Sequence, residues 1–240
     1  MKAMLLAAGE GRRLQPLTEH MPKPMLAIAG RPILEHNVRL LAHHGIREIV
    51  VNLHHCPEAV TSYFGDGRNW GVSLHYSYEE HLLGTAGAVM RVRELFSQGA
   101  FFVVYGDNLT NCDLTALQAQ HERTAAVATV ALFERDDVSA SGVAVLDEAD
   151  RISAFIEKPE GPSVPSHWVN AGLILLEPDA LGAVPDRVPV DFGFDVLPAL
   201  IRRGDAVSGY RMREDLWWVD TPAAYEEIRA LGEKGVLNLV

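Results

Sequence analysis

The stretch Ala3-Met4-Leu5-Leu6-Ala7-Ala8-Gly9-Glu10-Gly11-Arg12-Arg13-Leu14 decides how this chain is read. Residues 3–8 are continuously apolar rather than alternating, the pattern of a strand buried on both faces. Residues 9–13 are a glycine turn carrying two arginines. In a parallel α/β sheet, ligands bind beyond the carboxyl ends of the strands, and glycine there lets backbone N–H groups approach phosphates. The turn is no dinucleotide fingerprint, because Leu14 stands where a third glycine belongs and Pro16, Pro22 and Pro24 forbid a regular helix. A Walker A loop is excluded by the lack of Gly-Lys-Ser/Thr. An ordinary glycine turn stays open when these residues are taken alone.

Working outward, short apolar runs alternate with helical patterns. Strands are expected at 48–53, 72–77 and 100–105, with helices at 32–44, 57–64 and 85–96. This βαβαβαβ order predicts an α/β fold: a Rossmann-like, mixed but mostly parallel sheet with helices on both faces. Beyond it, 114–122 reads as a helix and 126–132 as a strand. Strands follow at 142–146, 152–156 and 169–176, and helices at 178–182, 196–203 and 222–232. The Pro- and Ser-rich stretch 159–165 is a loop. The expectation is one domain over 1–240, with a nucleotide-binding half at about 1–125 and a substrate half at about 126–240.

The composition narrows the function. Lys plus Arg is 21 and Asp plus Glu is 32, a net charge of −11 over 240 residues. An acidic chain is a poor sequence-independent nucleic-acid binder, so no nucleic-acid partner is expected. A polyanionic ligand must meet a local cationic cluster instead. Cys56 and Cys112 form neither a disulfide framework nor a zinc-ribbon spacing. No apolar run approaches the ~18 residues of a membrane helix, and residues 1–13 do not read as a secretory leader. A cytoplasmic protein without a membrane partner is expected; the oligomeric state is not legible.

The stretch 9–30 has no clear secondary structure, and loops of that length inside a compact domain are usually functional or disordered. It carries Arg12, Arg13 and Lys23, the last between Pro22 and Pro24. Stiffly held cations at a strand end suit a triphosphate or pyrophosphate. The fourth strand ends in Gly106-Asp107-Asn108, either a plain turn or a Mg²⁺ carboxylate, since Mg²⁺ is usually held by one or two carboxylates plus substrate phosphates. Asp220, after Leu216-Trp217-Trp218-Val219, is a second metal candidate or simply the cap of the helix that Pro222 starts. Neither acid has a basic neighbour in sequence, so their convergence points to a metal.

Together these segments resemble the sugar-1-phosphate nucleotidylyltransferases. Leu6-Ala7-Ala8-Gly9-Glu10-Gly11-Arg12-Arg13-Leu14-Gln15-Pro16-Leu17-Thr18 with Pro22-Lys23-Pro24 is similar to that family's long signature. Leu83-Gly84-Thr85-Ala86-Gly87-Ala88, Gly106-Asp107, Glu157-Lys158-Pro159, Val169-Asn170-Ala171-Gly172 and Trp218-Val219-Asp220-Thr221-Pro222 follow in family order. Arg12 departs from the usual Thr or Ser. No C-terminal left-handed β-helix is seen, which puts the acetyltransfer of longer members in doubt.

The resemblance implies attack of a sugar 1-phosphate on the α-phosphorus of an NTP, with pyrophosphate released. It implies catalytic roles for Arg13, Lys23 and Asp107, and a nucleotide site of Leu6, Ala7, Ala8, Gly9, Gly11, Arg12, Arg13, Lys23, Glu79, Gly84 and Thr85. Gly142, Glu157, Lys158 and Asn170 fall to the sugar phosphate, with Asp107 and Asp220 as ligands of a Mg²⁺ cofactor. The L-G-T-A-G segment leans to mannose-1-phosphate guanylyltransferase-like members. Uridylyl or thymidylyl transfer to another hexose, muramate or heptose phosphate is the alternative. A glycosyltransferase is disfavoured by the missing second acid of Asp-x-Asp at Asp107-Asn108-Leu109. A non-catalytic regulatory subunit is disfavoured because Lys23, Asp107 and Lys158 are all present. His54-His55-Cys56 and Asp191-Phe192-Gly193 carry no function in this reading.

Overall fold

The computed structural model describes residues 1–159 and 165–240. Most of the 159–165 loop lies outside the described residues. The chain forms two compact units. One is Met1–Leu82, Val104–Cys112 and Glu214–Val240; the other is Leu83–Val103 and Asp113–Arg213.

In the first unit Lys2–Leu6 runs parallel to Glu48–Leu53, which runs parallel to Ser73–Tyr78. The continuous apolar runs are buried as their pattern requires, with Ala3, Met4, Leu5, Ile49 and Val51 essentially inaccessible. Helices Ile33–His43 and Pro57–Phe64 join the strands. After the strand Phe101–Tyr105, the Gly106 N–H donates to the Leu6 carbonyl at 2.8 Å, so two strand ends meet. A Cβ on Gly106 would lie 2.9 Å from both the Leu6 carbonyl oxygen and Leu34 Cδ1, so the approach requires glycine.

The stretch 9–30 is more ordered than its sequence suggests. It contains 3-10 turns at Arg12–Leu14 and Lys23–Met25, and Ala27–Ile28 pairs with Arg31–Pro32. Pro24 fits the first turn of a helix, where its missing N–H costs nothing, and bars extension toward the N-terminus. A second small ribbon pairs Asn108–Thr110 antiparallel with Leu216–Trp218. Leu14, Leu26, Ile28, Ile33, Leu109, Val219 and Ile228 pack into one buried cluster that anchors both ribbons and the loop. The helix Pro222–Glu233 contributes Ile228 to it.

In the second unit Trp168–Leu176 pairs antiparallel with Ala128–Glu134 and with Gly142–Leu146, which pairs antiparallel with Ile152–Glu157. Val207–Arg211 adds a strand parallel to Ala128–Glu134. Its sequence, Val-Ser-Gly-Tyr-Arg, gives little strand signal. Gly209 is there because a Cβ would press to 2.6 Å from both Leu132 and Leu146. Two helix expectations change. Residues 85–96 are an α-helix only over Thr85–Arg91, followed by a 3-10 turn at Arg93–Phe96. Pro178–Ala183 is a 3-10 helix, a six-residue piece with Gly182 being too short to propagate α geometry. Among the described residues no helix is long and apolar enough to cross a membrane.

Candidate functional site

In the first unit the chemistry gathers on Lys23. Its Nζ lies 2.8 Å from Asp107 Oδ2 and 2.8 Å from Asp220 Oδ1. The register explains why two acids so far apart in sequence meet: Asn108 is paired with Trp218, so the residues just outside that pair, Asp107 and then Val219 and Asp220, come together. Arg13 Nη2 reaches the same Asp220 oxygen at 3.2 Å. Lys23 itself is 5% exposed. Gly11, at φ +63°, folds the loop around its stem, and the Thr18 hydroxyl donates to the Gly11 carbonyl at 2.8 Å. Burial pulls the Lys23 ammonium down, but Asp107 and Asp220 together outweigh it and leave the pKa raised.

The Lys23 ammonium is buried on its partners. This arrangement corrects two expectations. Asp107 and Asp220 are not two acids awaiting a counter-ion, because Lys23 and Arg13, distant in sequence, already neutralise them. The cap of the helix Pro222–Glu233 is not Asp220 but Thr221, whose hydroxyl accepts the Ala224 N–H at 3.2 Å. Among the described residues no three or more His, Cys, Asp or Glu side chains group to hold a metal unaided. A pair of carboxylates already drawn around a cation nevertheless fits Mg²⁺, whose other ligands are ordinarily phosphate oxygens and water.

Arg12 turns to Glu10 in an exposed pair rather than toward Lys23. Gly9 is exposed, with open space where a Cβ would stand. Behind the loop the Ala7 N–H donates to Asn52 Oδ1 at 2.8 Å, and Asn52 Nδ2 donates to Glu79 Oε1 at 2.8 Å. Glu79 is 1% exposed and therefore no solvated loop charge. Asn52 escaped the sequence reading because a lone polar residue inside a strand carries no motif; its burial beside an acid is a tertiary fact.

The second unit holds two further groups. Thr85 starts a helix whose first N–H groups end on Asp191 and Val190. Gly84, at φ +79°, is pressed so close to the Val190 carbonyl that a Cβ would lie 2.4 Å from its oxygen. Elsewhere the Glu157 carboxylate lies between two glycines: a Cβ on Gly142 would come within 2.5 Å of Oε2, and one on Gly193 within 2.1 Å. Burial raises the Glu157 pKa, Lys158 opposes the rise and Asp191 adds to it. Lys158 is exposed at φ +50°, its Nζ 5.6 Å from the centre of the Phe194 ring. Asn170 lies beside a register shift in its strand and spends Oδ1 on the Gly172 N–H at 2.9 Å. Bulges of this kind re-aim side chains near sites.

A glycine–proline loop at strand ends, holding a lysine and an arginine on paired acids, defines an α/β protein equipped to handle phosphate esters. The family model described as nucleotidyl transferase matches residues 2–231, and the chain belongs to that family. A UTP–glucose-1-phosphate uridylyltransferase of Synechocystis sp. is 34% identical over an alignment covering 100% of this chain and 65% of the relative. A mannose-1-phosphate guanylyltransferase of Mycobacterium tuberculosis is 36% identical over 87% of this chain and 58% of its own length. The chain thus spans about three fifths of these relatives. The fold is shared with a solved UDP-glucose pyrophosphorylase in complex with UDP-glucose, at a TM-score of 0.87 and 20% identity, covering 98% of each chain.

Proposed function

We propose that this chain transfers a nucleoside monophosphate from an NTP to a sugar 1-phosphate. A phosphate oxygen of the sugar phosphate attacks the α-phosphorus, the bond from that phosphorus to the bridging oxygen breaks, and pyrophosphate leaves. A phosphate monoester is largely dianionic near neutral pH, its second pKa being about 6, so no strong base is needed. The task is charge neutralisation and in-line placement of two polyanions. The observation that carries the reading is Lys23 gathered with Arg13 on Asp107 and Asp220 at the strand ends.

In this reading Lys23 and Arg13 take the triphosphate, and Gly9 and Gly11 let it approach the backbone. Glu79 acts on the nucleotide side through Asn52 and Ala7. Asp107 and Asp220 would hold Mg²⁺, which when bound neutralises phosphate charge. The Glu157 carboxylate has no hydrogen-bond partner among the described residues, so it is free in its cradle to accept sugar hydroxyls. Asn170 keeps its Nδ2 for the same sugar, and Lys158 meets the sugar phosphate.

We propose GTP with mannose 1-phosphate as the substrate pair, on the L-G-T-A-G segment at 83–87. UTP with glucose 1-phosphate is the second reading, favoured by the Synechocystis relative that aligns over the whole chain. Pyrophosphate release from four NTPs crossed with mannose, glucose, muramate and heptose 1-phosphates tests both. No release from any pair would refute the transfer reading.

A further inference from the structure

The segment Val190–Gly193 has no part in the reading so far, yet it touches two of the assigned groups in the second unit. Asp191 Oδ1 accepts the Thr85 N–H at 3.0 Å and the Thr85 hydroxyl at 3.1 Å. That hydroxyl accepts the Phe192 N–H at 2.9 Å. The Val190 carbonyl accepts the Ala86 and Gly87 N–H groups at 2.9 and 3.2 Å, and the Val190 N–H donates to the Leu83 carbonyl at 2.9 Å. The first three N–H groups of the Thr85 helix are therefore all spent inside the protein, and this helix start has none of them left for a phosphate. The Gly84 N–H has no partner among the described residues and stays available. Asp191 is in turn fixed by Asp195, whose Oδ2 accepts the Asp191 N–H at 2.9 Å and whose Oδ1 pairs with Arg187. Two residues on, Gly193 provides the space that Glu157 Oε2 occupies.

We propose that Asp191 is a positioning residue of the transfer reaction. Through Thr85 it fixes the Gly84 turn so that the Gly84 N–H meets an acceptor of the nucleotide's base or ribose. This rests on the reading that Gly84 and Thr85 serve the nucleotide. A bare structural anchor would weaken everything alike, whereas a positioning residue weakens nucleotide binding alone. Gly193 supplies the opposite signature, because a methyl there displaces the carboxylate on the sugar side.

The test titrates the whole chain with non-hydrolysable analogues of GTP and UTP, and separately with mannose and glucose 1-phosphates. Asp191→Ala and Thr85→Val should weaken analogue binding about tenfold, the scale of losing one or two net hydrogen bonds. Sugar-phosphate binding should stay within about twofold on the same measure. Asp191→Asn and Thr85→Ser keep the acceptor and the hydroxyl and should restore analogue binding. Gly193→Ala should weaken the sugar phosphate and spare the analogue. Unchanged analogue binding by folded Asp191→Ala, or equal loss on both sides, overturns the assignment. If Asp191→Ala does not fold, failure of Thr85→Val to weaken the analogue does so. A wild-type chain that binds neither analogue overturns the transfer reading and this inference with it, while transfer with an unaffected Asp191→Ala overturns this inference alone.

Discussion

Replacing Lys23 by methionine keeps the stem and removes the charge, so it isolates what the ammonium does. In the structure the local charges cancel: Lys23 and Arg13 against Asp107 and Asp220. Without Lys23 the cluster is left at −1. Two unit charges about 4 Å apart interact by ~4 kcal/mol at an effective dielectric near 20. The Asp107 and Asp220 side chains are 38% and 33% exposed, so solvent takes much of this, and about 1.4 kcal/mol is a cautious remainder. Lys23→Met should therefore bind Mn²⁺, as a Mg²⁺ stand-in, at least about tenfold more tightly than wild type when no nucleotide is present. Turnover should move the other way, with kcat/KM falling about 10²- to 10³-fold, the scale of losing one electrostatic stabiliser of the transition state. Stability should drop by about 1–2 kcal/mol, below the 3–5 of a fully buried broken pair, because water reaches both acids. Electron paramagnetic resonance of free Mn²⁺, steady-state rates and urea melts read the three effects. Unchanged Mn²⁺ affinity together with turnover within about threefold of wild type would refute the reasoning.

Asp107→Asn and Asp220→Asn should each remove most metal-dependent turnover, and the double variant should be scarcely worse than either, as for groups acting as a unit; additive losses across a Mg²⁺ titration would count against a shared ion. Burial raises the Glu157 pKa above 4.5, so kcat/KM for the sugar phosphate should fall as pH drops through that raised value. Protonation in the same window favours the folded chain, and stability declines as pH rises through it; a Glu157→Gln chain with the wild-type acid limb would disprove the link. Burial lowers the pKa of both His36 and His121. Their contribution is whole above pH 6.5 and is lost as pH falls toward the folded-state values, at up to about 1.4 kcal/mol per pH unit for each ring. Urea titrations from pH 7.5 to 5.5 should show that slope, and His36→Leu should flatten it.

Much of the fold was legible because it depends on local pattern. A continuous apolar run such as residues 3–8 can only be buried on both faces, and Pro57 and Gly65 bound their helix by backbone geometry alone. Asp107 and Lys23 were legible for the same reason, one ending an apolar strand and the other stiffened by two prolines. The strand Val207–Arg211 was not, since its glycine answers to side chains of two other strands. Nor was the role of Asp191: read along the chain it opens a chance triplet, and only Thr85 opposite it gives it a task.

By itself the sequence determined which of the long apolar runs become strands, where they end, and that cationic and acidic residues lie at those ends. Only the tertiary structure decided which charges meet. The antiparallel register of Asn108–Thr110 on Leu216–Trp218 brings Asp220 to Asp107, and the loop carries Lys23 between them. The physical reason is range. Helix and strand patterns are written in neighbours one to four residues apart, while Coulomb and hydrogen-bond energies depend on distances of a few ångströms between residues that the chain itself keeps far apart.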